Sequence, residues 1–208
     1  MTDYARRERR RLADLLLEAG PDRPTLCAGW TTRDLAAHLV VRDRRPDAMA
    51  GVLVPPLAGH GEHVRKQKAA EPYERVVEQV RNPPWWSLVS NPLVDELSNT
   101  VEFFVHHEDV RRGVPDWSPR VLDEGEQAAL WKAVKLTGRM GLRKLHIPVA
   151  LKSPGYGEIT VGDSPVATLT GEPGELAMFL LGRQRAARVD VDGPPEVAER
   201  LRTARLGV

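Results

Sequence analysis

The spacing of apolar residues changes once along this 208-residue chain, and that change limits the folds open to it. Through the first half, apolar residues recur at three- and four-residue intervals, the spacing of one helix face. Leu12, Leu15, Leu16 and Ala19 follow Thr2 or Asp3 as N-cap and stop at Gly20-Pro21. Leu35, Ala36, Leu39 and Val40 follow Thr31, with Asp34 three residues on in the position of a capping box. Tyr73, Val76, Val77 and Val80 predict a helix from Pro72 to Arg81, and another is expected from Asn91-Pro92 to about Arg112, closed by Gly113 and Pro115. Residues 46–63, with Pro46, Pro55-Pro56, Gly59 and Gly61, read as a connection. After residue 120, one more helix (about Asp123 to Lys144) leads into short strand-like runs at 147–151, 159–161, 166–169 and 189–191. Helical stretches at 173–182 and 194–204 are interleaved with these runs. The expected fold class is therefore an α and α+β mix: a helix bundle over residues 1–115, then a small α+β domain over residues 122–208.

Composition removes several classes of function. With 41% hydrophobic and 28% charged residues the chain can fill a core. A formal net charge of +1 gives no electrostatic case for nucleic acid or an anionic membrane as main partner. Arg6, Arg7, Arg9, Arg10 and Arg11 resemble a basic arm, but Glu8, Asp14 and Glu18 are interleaved, and the run reads as a solvated helix face. One cysteine excludes an internal disulfide, and no apolar run approaches the roughly 20 residues that span a bilayer. The opening residues lack the apolar stretch of a signal peptide, so a reduced, cytoplasmic protein is expected.

Chemistry concentrates in Asn99-Thr100-Val101-Glu102-Phe103-Phe104-Val105-His106-His107-Glu108-Asp109. Glu102 is flanked by Val101 and Phe103-Phe104, an unusual setting for a solvated carboxylate. On a helix, Glu102 and His106 are one turn apart and share a face. Asp109, three further on, is placed to accept from the far nitrogen of the His106 ring. His38 is centred on the Leu35–Leu39 stripe, and two packed helices lie about 8–10 Å apart. His38, Glu102 and His106 can thus converge on one divalent cation and leave a coordination position open, the ligand count of a catalytic zinc site. The alternative from the same spacing is a buried His38 bonded to a backbone carbonyl or to Glu102, with Glu102 and His106 a simple ion pair. His60 and His63 fall in the Gly-rich connection and read as exposed, and His107 should face away from His106 by about 100°. Glu108 should likewise point to another face, and His146 pairs with nothing. Cys27 reads as a small core residue. No phosphate-binding glycine loop and no GxSxG nucleophile elbow occurs.

Leu26-Cys27-Ala28-Gly29-Trp30-Thr31-Thr32-Arg33-Asp34-Leu35-Ala36-Ala37-His38-Leu39, followed by Glu102-Phe103-Phe104-Val105-His106-His107-Glu108-Asp109-Val110-Arg111-Arg112, resembles the mycothiol-dependent maleylpyruvate isomerase-like proteins of the DinB/YfiT superfamily. More narrowly, it looks like their actinobacterial metal-binding subfamily. The resemblance implies a DinB-like four-helix bundle, then a small domain related to sterol carrier protein. It also implies a divalent metal, typically zinc, on His38, Glu102 and His106, and mycothiol as thiol cosubstrate. The reaction it implies is a transferase or isomerase step in which a metal-activated thiol attacks a small electrophile. Arg42, Arg183 and one of Arg111 or Arg112 would then hold carboxylates of thiol or substrate. The alternative is a non-catalytic metal-dependent sensor or small-molecule binding module, whose site would be closed by Asp109 or His107. Hydrolysis by metal-activated water is a third reading, with Glu108 or Asp109 as base.

Overall fold

The structure, a computed structural model, describes residues 3–48, 58–87 and 96–207. The chain divides into two compact units, Met1–Pro119 and Arg120–Val208. The first is helical: α1 (Asp3–Ala19), α2 (Thr32–Arg44), α3 (Ala58–Ala69), α4 (Tyr73–Arg81) and α5 (Glu96–Arg111). Helix α1 packs on α4 and α5, and α2 packs on α3 and α4. Leu12, Leu16, Leu35, Leu39, Val76, Val77, Val80 and Phe103 form their shared core. Each such side chain removed from water contributes about 1.5–3 kcal/mol. Tyr73 joins this core by donating its hydroxyl to the Leu16 carbonyl at 2.7 Å, and burial pushes its phenol up to about 12.

Two expectations are corrected here. Residues 58–63, expected as the end of a connection, instead begin a helix that runs Ala58–Ala69. The Gly59–His63 half of α3 is mostly exposed, which is why it reads as loop, but Val64 and Ala69 are buried. Buried Arg65 then anchors the helix, pairing with Asp34 at 2.5 Å and with Glu62 at 2.8 Å. The arginine run is not uniformly solvated either: Glu8 and Arg9 are buried. Ala5, Glu8, Arg9, Leu12, Ala13 and Leu16 make one continuous stripe at helical spacing, and two charged residues fall on it. Arg9 is accommodated by Asp43, by the Val80 carbonyl at 2.9 Å, and by the Phe103 ring 4.2 Å below its guanidinium. The expected helix start at Asn91-Pro92 lies outside the described residues.

The second unit holds α6 (Glu124–Arg143), β1 (Val149–Ser153), β2 (Gly157–Val161), β3 (Ala167–Thr170), α7 (Pro173–Leu180), β4 (Asp190–Asp192) and α8 (Pro195–Thr203). Asp123 caps α6 by accepting from the Glu126 N–H at 2.9 Å. The sheet order is β2-β1-β3-β4, with β1 parallel to β3 and the outer pairs antiparallel. Register places Leu151 opposite Ile159 on one side and Leu169 on the other. Leu151 and Leu169 are buried, as are Leu130, Val134 and Leu142 of α6 and Leu176 and Phe179 of α7. Gly138 lets α6 approach β1, because a Cβ there would lie 2.6 Å from the Leu151 side chain. A helical N-terminal region and a mixed four-stranded sheet with helices make this an α+β protein. Among the described residues no helix is long and apolar enough to cross a membrane.

Candidate metal centre

Helix α2 begins where Asp34 Oδ2 accepts from the backbone N–H of Thr31 at 3.0 Å and from its hydroxyl at 3.1 Å. Burial raises the Asp34 pKa, but the bonds from Arg65 and Thr31 outweigh it and hold the carboxyl below its ordinary value. His38 follows one turn later. Its neighbours Leu35 and Leu39 are buried in the core, whereas the imidazole is half-buried with the Trp30 ring 5.3 Å away. On α5, Val101, Phe103, Phe104, Val105 and Val110 are all buried. That leaves Glu102 on a partly open strip of the helix, with His106 one turn on.

The three side chains meet. His38 Nε2 lies 3.4 Å and His106 Nε2 3.3 Å from Glu102 Oε1, and the ligand atoms of all three lie within 4.8 Å of one another. The two imidazoles stand edge to face with centroids 5.3 Å apart. Donors held about 2.0–2.1 Å from a tetrahedral cation are about 3.3 Å from each other. The observed carboxylate–imidazole spacings match those of two such donor pairs. Two neutral imidazole nitrogens and one carboxylate oxygen are also the donor chemistry zinc accepts. Side-chain exposures of 22% for His38 and 27% for Glu102 keep the group reachable from solvent.

Titration behaviour follows from the packing. Burial pushes the His38 pKa down, and the bond to Glu102 offsets this only in part. Burial also opposes protonation of His106, but bonds to Asp109, Cys27 and Glu102 win and raise it well above the ordinary histidine value. Burial raises Glu102, yet the two imidazoles and Arg42 pull it well below the usual carboxylate range. Without a cation, positive charge collects on His106 between two carboxylates.

The surrounding residues sort by what they touch. Asp109 Oδ2, fully buried, is 2.8 Å from His106 Nδ1; this fixes the ring and turns Nε2 toward Glu102. Arg42 lies beneath Glu102: its Nε is 3.3 Å from Oε1, its Nη2 donates to Asn99 Oδ1 at 2.9 Å, and its side chain is only 8% exposed. It thus acts on Glu102 directly. Arg183 belongs to the second unit, where its Nη1 donates to the Leu181 carbonyl at 2.5 Å. Arg111 and Arg112 both hold Glu108, which is buried, and Arg112 stacks over Trp117 at 4.5 Å. His107 bonds Glu8 at 3.0 Å, away from His106. His60 pairs with Asp47 and His63 with Gln67, both exposed, and His146 is exposed as well.

Cys27 is where local reading falls short. It packs at the edge of the helical core, as expected of a small residue, but its Sγ also lies 3.2 Å from Asp109 Oδ2. The Leu26 N–H donates to the Asp109 carbonyl at 3.0 Å and ties this loop to the end of α5. Gly113 permits the approach, since a Cβ there would overlap the Pro24 carbonyl. Eighty-two positions separate the two side chains, and no periodicity signals their contact.

No curated protein and no solved structure matches the chain. A family model does match, over less than half of the chain; the span includes His38 but stops short of Glu102 and His106. Residues 3–89 match the mycothiol maleylpyruvate isomerase N-terminal domain, the family that the motifs led one to expect.

Proposed function

We propose that His38, Glu102 and His106 hold a divalent cation, zinc by donor type, and that the protein is a thiol-dependent transferase or isomerase acting on a small electrophile. Mycothiol is the proposed thiol, because the family matched by residues 3–89 is named for it. The observation that carries the reading is the meeting of three donors at 3.3–3.4 Å on a half-open strip of the helices. A bound cation would supply the positive charge that keeps a thiol deprotonated at neutral pH, where a free thiol with pKa near 8.5 is mostly protonated. Asp109 holds the His106 ring, Arg42 with Asn99 holds Glu102, and Trp30 flanks His38. His107 and Asp109 engage Glu8 and the far nitrogen of His106, which favours a site with an open position over the closed site of a sensor.

The domain reading goes with it: a DinB-like four-helix bundle over residues 1–115 and a sterol-carrier-protein-like domain over 122–208. In the second unit the proposal extends to Arg183 as a holder of carboxylates. The test is metal analysis of protein purified without added metal, then titration of mycothiol into the holo form and into His106→Ala. At least one metal per chain, with thiol binding lost in the variant, is expected. Metal without any thiol response would replace the enzyme with a binding module.

A further inference from the structure

We propose that Cys27, Asp109 and His106 form a second cation site, which takes a thiolate-seeking divalent cation of the zinc type and meets the first set only at the His106 ring. Sγ of Cys27, a carboxylate oxygen of Asp109 and a ring nitrogen of His106 lie within 4.8 Å of one another. Sγ lies 3.2 Å and Nδ1 2.8 Å from Oδ2 of Asp109. Around a cation with a metal–sulfur distance of about 2.3 Å and metal–nitrogen or metal–oxygen distances of about 2.0–2.1 Å, donors stand about 3.3–3.6 Å apart. Widening these two spacings by about half an ångström brings them to that range.

The cluster is built rather than accidental. Its members come from the loop before α2 and from the last turns of α5, and the two segments are held together by the Leu26–Asp109 backbone bond and the close approach at Gly113. Asp109 and His106 are buried and cannot wander, while half-buried Cys27 marks the way in. A sulfur, an oxygen and a nitrogen donor together select borderline-soft cations over magnesium or calcium. This distinguishes the cluster from the first set, which has no sulfur. On binding, one proton leaves Sγ and one leaves Nδ1, and the cation takes the place of both. His106 serves the first set through Nε2 and this one through Nδ1, so the ring can bridge two ions. The site needs neither His38 nor Glu102 and does not depend on the thiol chemistry proposed above.

Cobalt(II) is the probe, added to the metal-free full-length protein, because cobalt bound to a thiolate absorbs in the near ultraviolet through sulfur-to-metal charge transfer. Wild type should take up two equivalents, one of which develops that band. Cys27→Ser should lose the band and one equivalent. His38→Ala should keep the band and lose the other equivalent. A wild type that saturates with cobalt and never shows the band overturns the second site and leaves the first untouched. A band-bearing single equivalent that is the same in wild type and His38→Ala supports the second site and removes the first.

Discussion

Helix α5 carries two adjacent histidines, each bonded to a glutamate, and their surroundings differ in what they can do. Glu102 and His106 face a half-open strip and meet His38 across the helices at 3.4 Å. His107, the next residue, is buried and bonded to Glu8, which is fully buried, and Glu108 is closed in by Arg111 and Arg112. The residue types are the same, yet one group is available to an incoming ion and the other is satisfied internally. A carboxylate whose partners are arginines in a sealed core has its charge already neutralised. Glu102 also has an arginine, Arg42, beneath it, but its two imidazoles on a partly exposed strip are donors that an ion can recruit.

The largest expected effect comes from opening the closed cluster. Glu108→Ala leaves Arg112, 1% exposed, without its carboxylate, and should lower unfolding free energy by about 3–5 kcal/mol in a denaturant titration. Where the variant still folds, metal per chain should stay at the wild-type value; a matching loss of metal would show that the two arrangements are not separate. Asp109→Asn, on the other side of the comparison, should weaken binding of the first cation by roughly 10–100-fold. Competition against a chromophoric chelator reads that change, and wild-type affinity would mean Asp109 does not orient His106.

Metal binding to His38, Glu102 and His106 should tighten as pH rises through neutrality. His106 is held protonated by its acidic neighbours, so an arriving ion must displace a proton, and calorimetry in buffers of different ionisation enthalpy should count it. Asp34 gives a smaller effect. Its folded pKa is depressed, so its contribution is complete above the unfolded value near pH 4 and is lost as pH falls through the lower folded value. Asp34→Asn should therefore cost about 1 kcal/mol at neutral pH, with the gap to wild type closing in strong acid. Smallest of all, replacing His60 and His63 together by Ala should move neither melting temperature nor metal content, because both are exposed. A drop in metal would place a ligand on α3 and blur the contrast drawn above.

Local geometry made much of this readable. Helical spacing and capping residues mark out α1, α2, α4 and α6, and Gly, Pro and Asp punctuate the strand runs, because these signals act within a few residues. The one-turn relation of Glu102 to His106 is likewise a property of any helix. The helix at 58–69 escaped notice because its glycines and histidines lie on an exposed turn, while buried Val64 and Arg65 find partners elsewhere in the chain. Arg9 reads as solvated for a similar reason: Asp43 neutralises it and the Val80 carbonyl accepts from it, both from distant helices.

From the order of residues alone came the division into a helical part and a mixed sheet, and a face of α5 bearing a carboxylate and an imidazole. Tertiary packing decided that His106 meets Glu102 and His38 whereas His107 meets Glu8, that Arg42 lies beneath Glu102, and that Cys27 reaches Asp109. Periodicity states which way a side chain leaves its own helix, but the distance to a side chain on another helix is set by how buried residues of both fill the space between them.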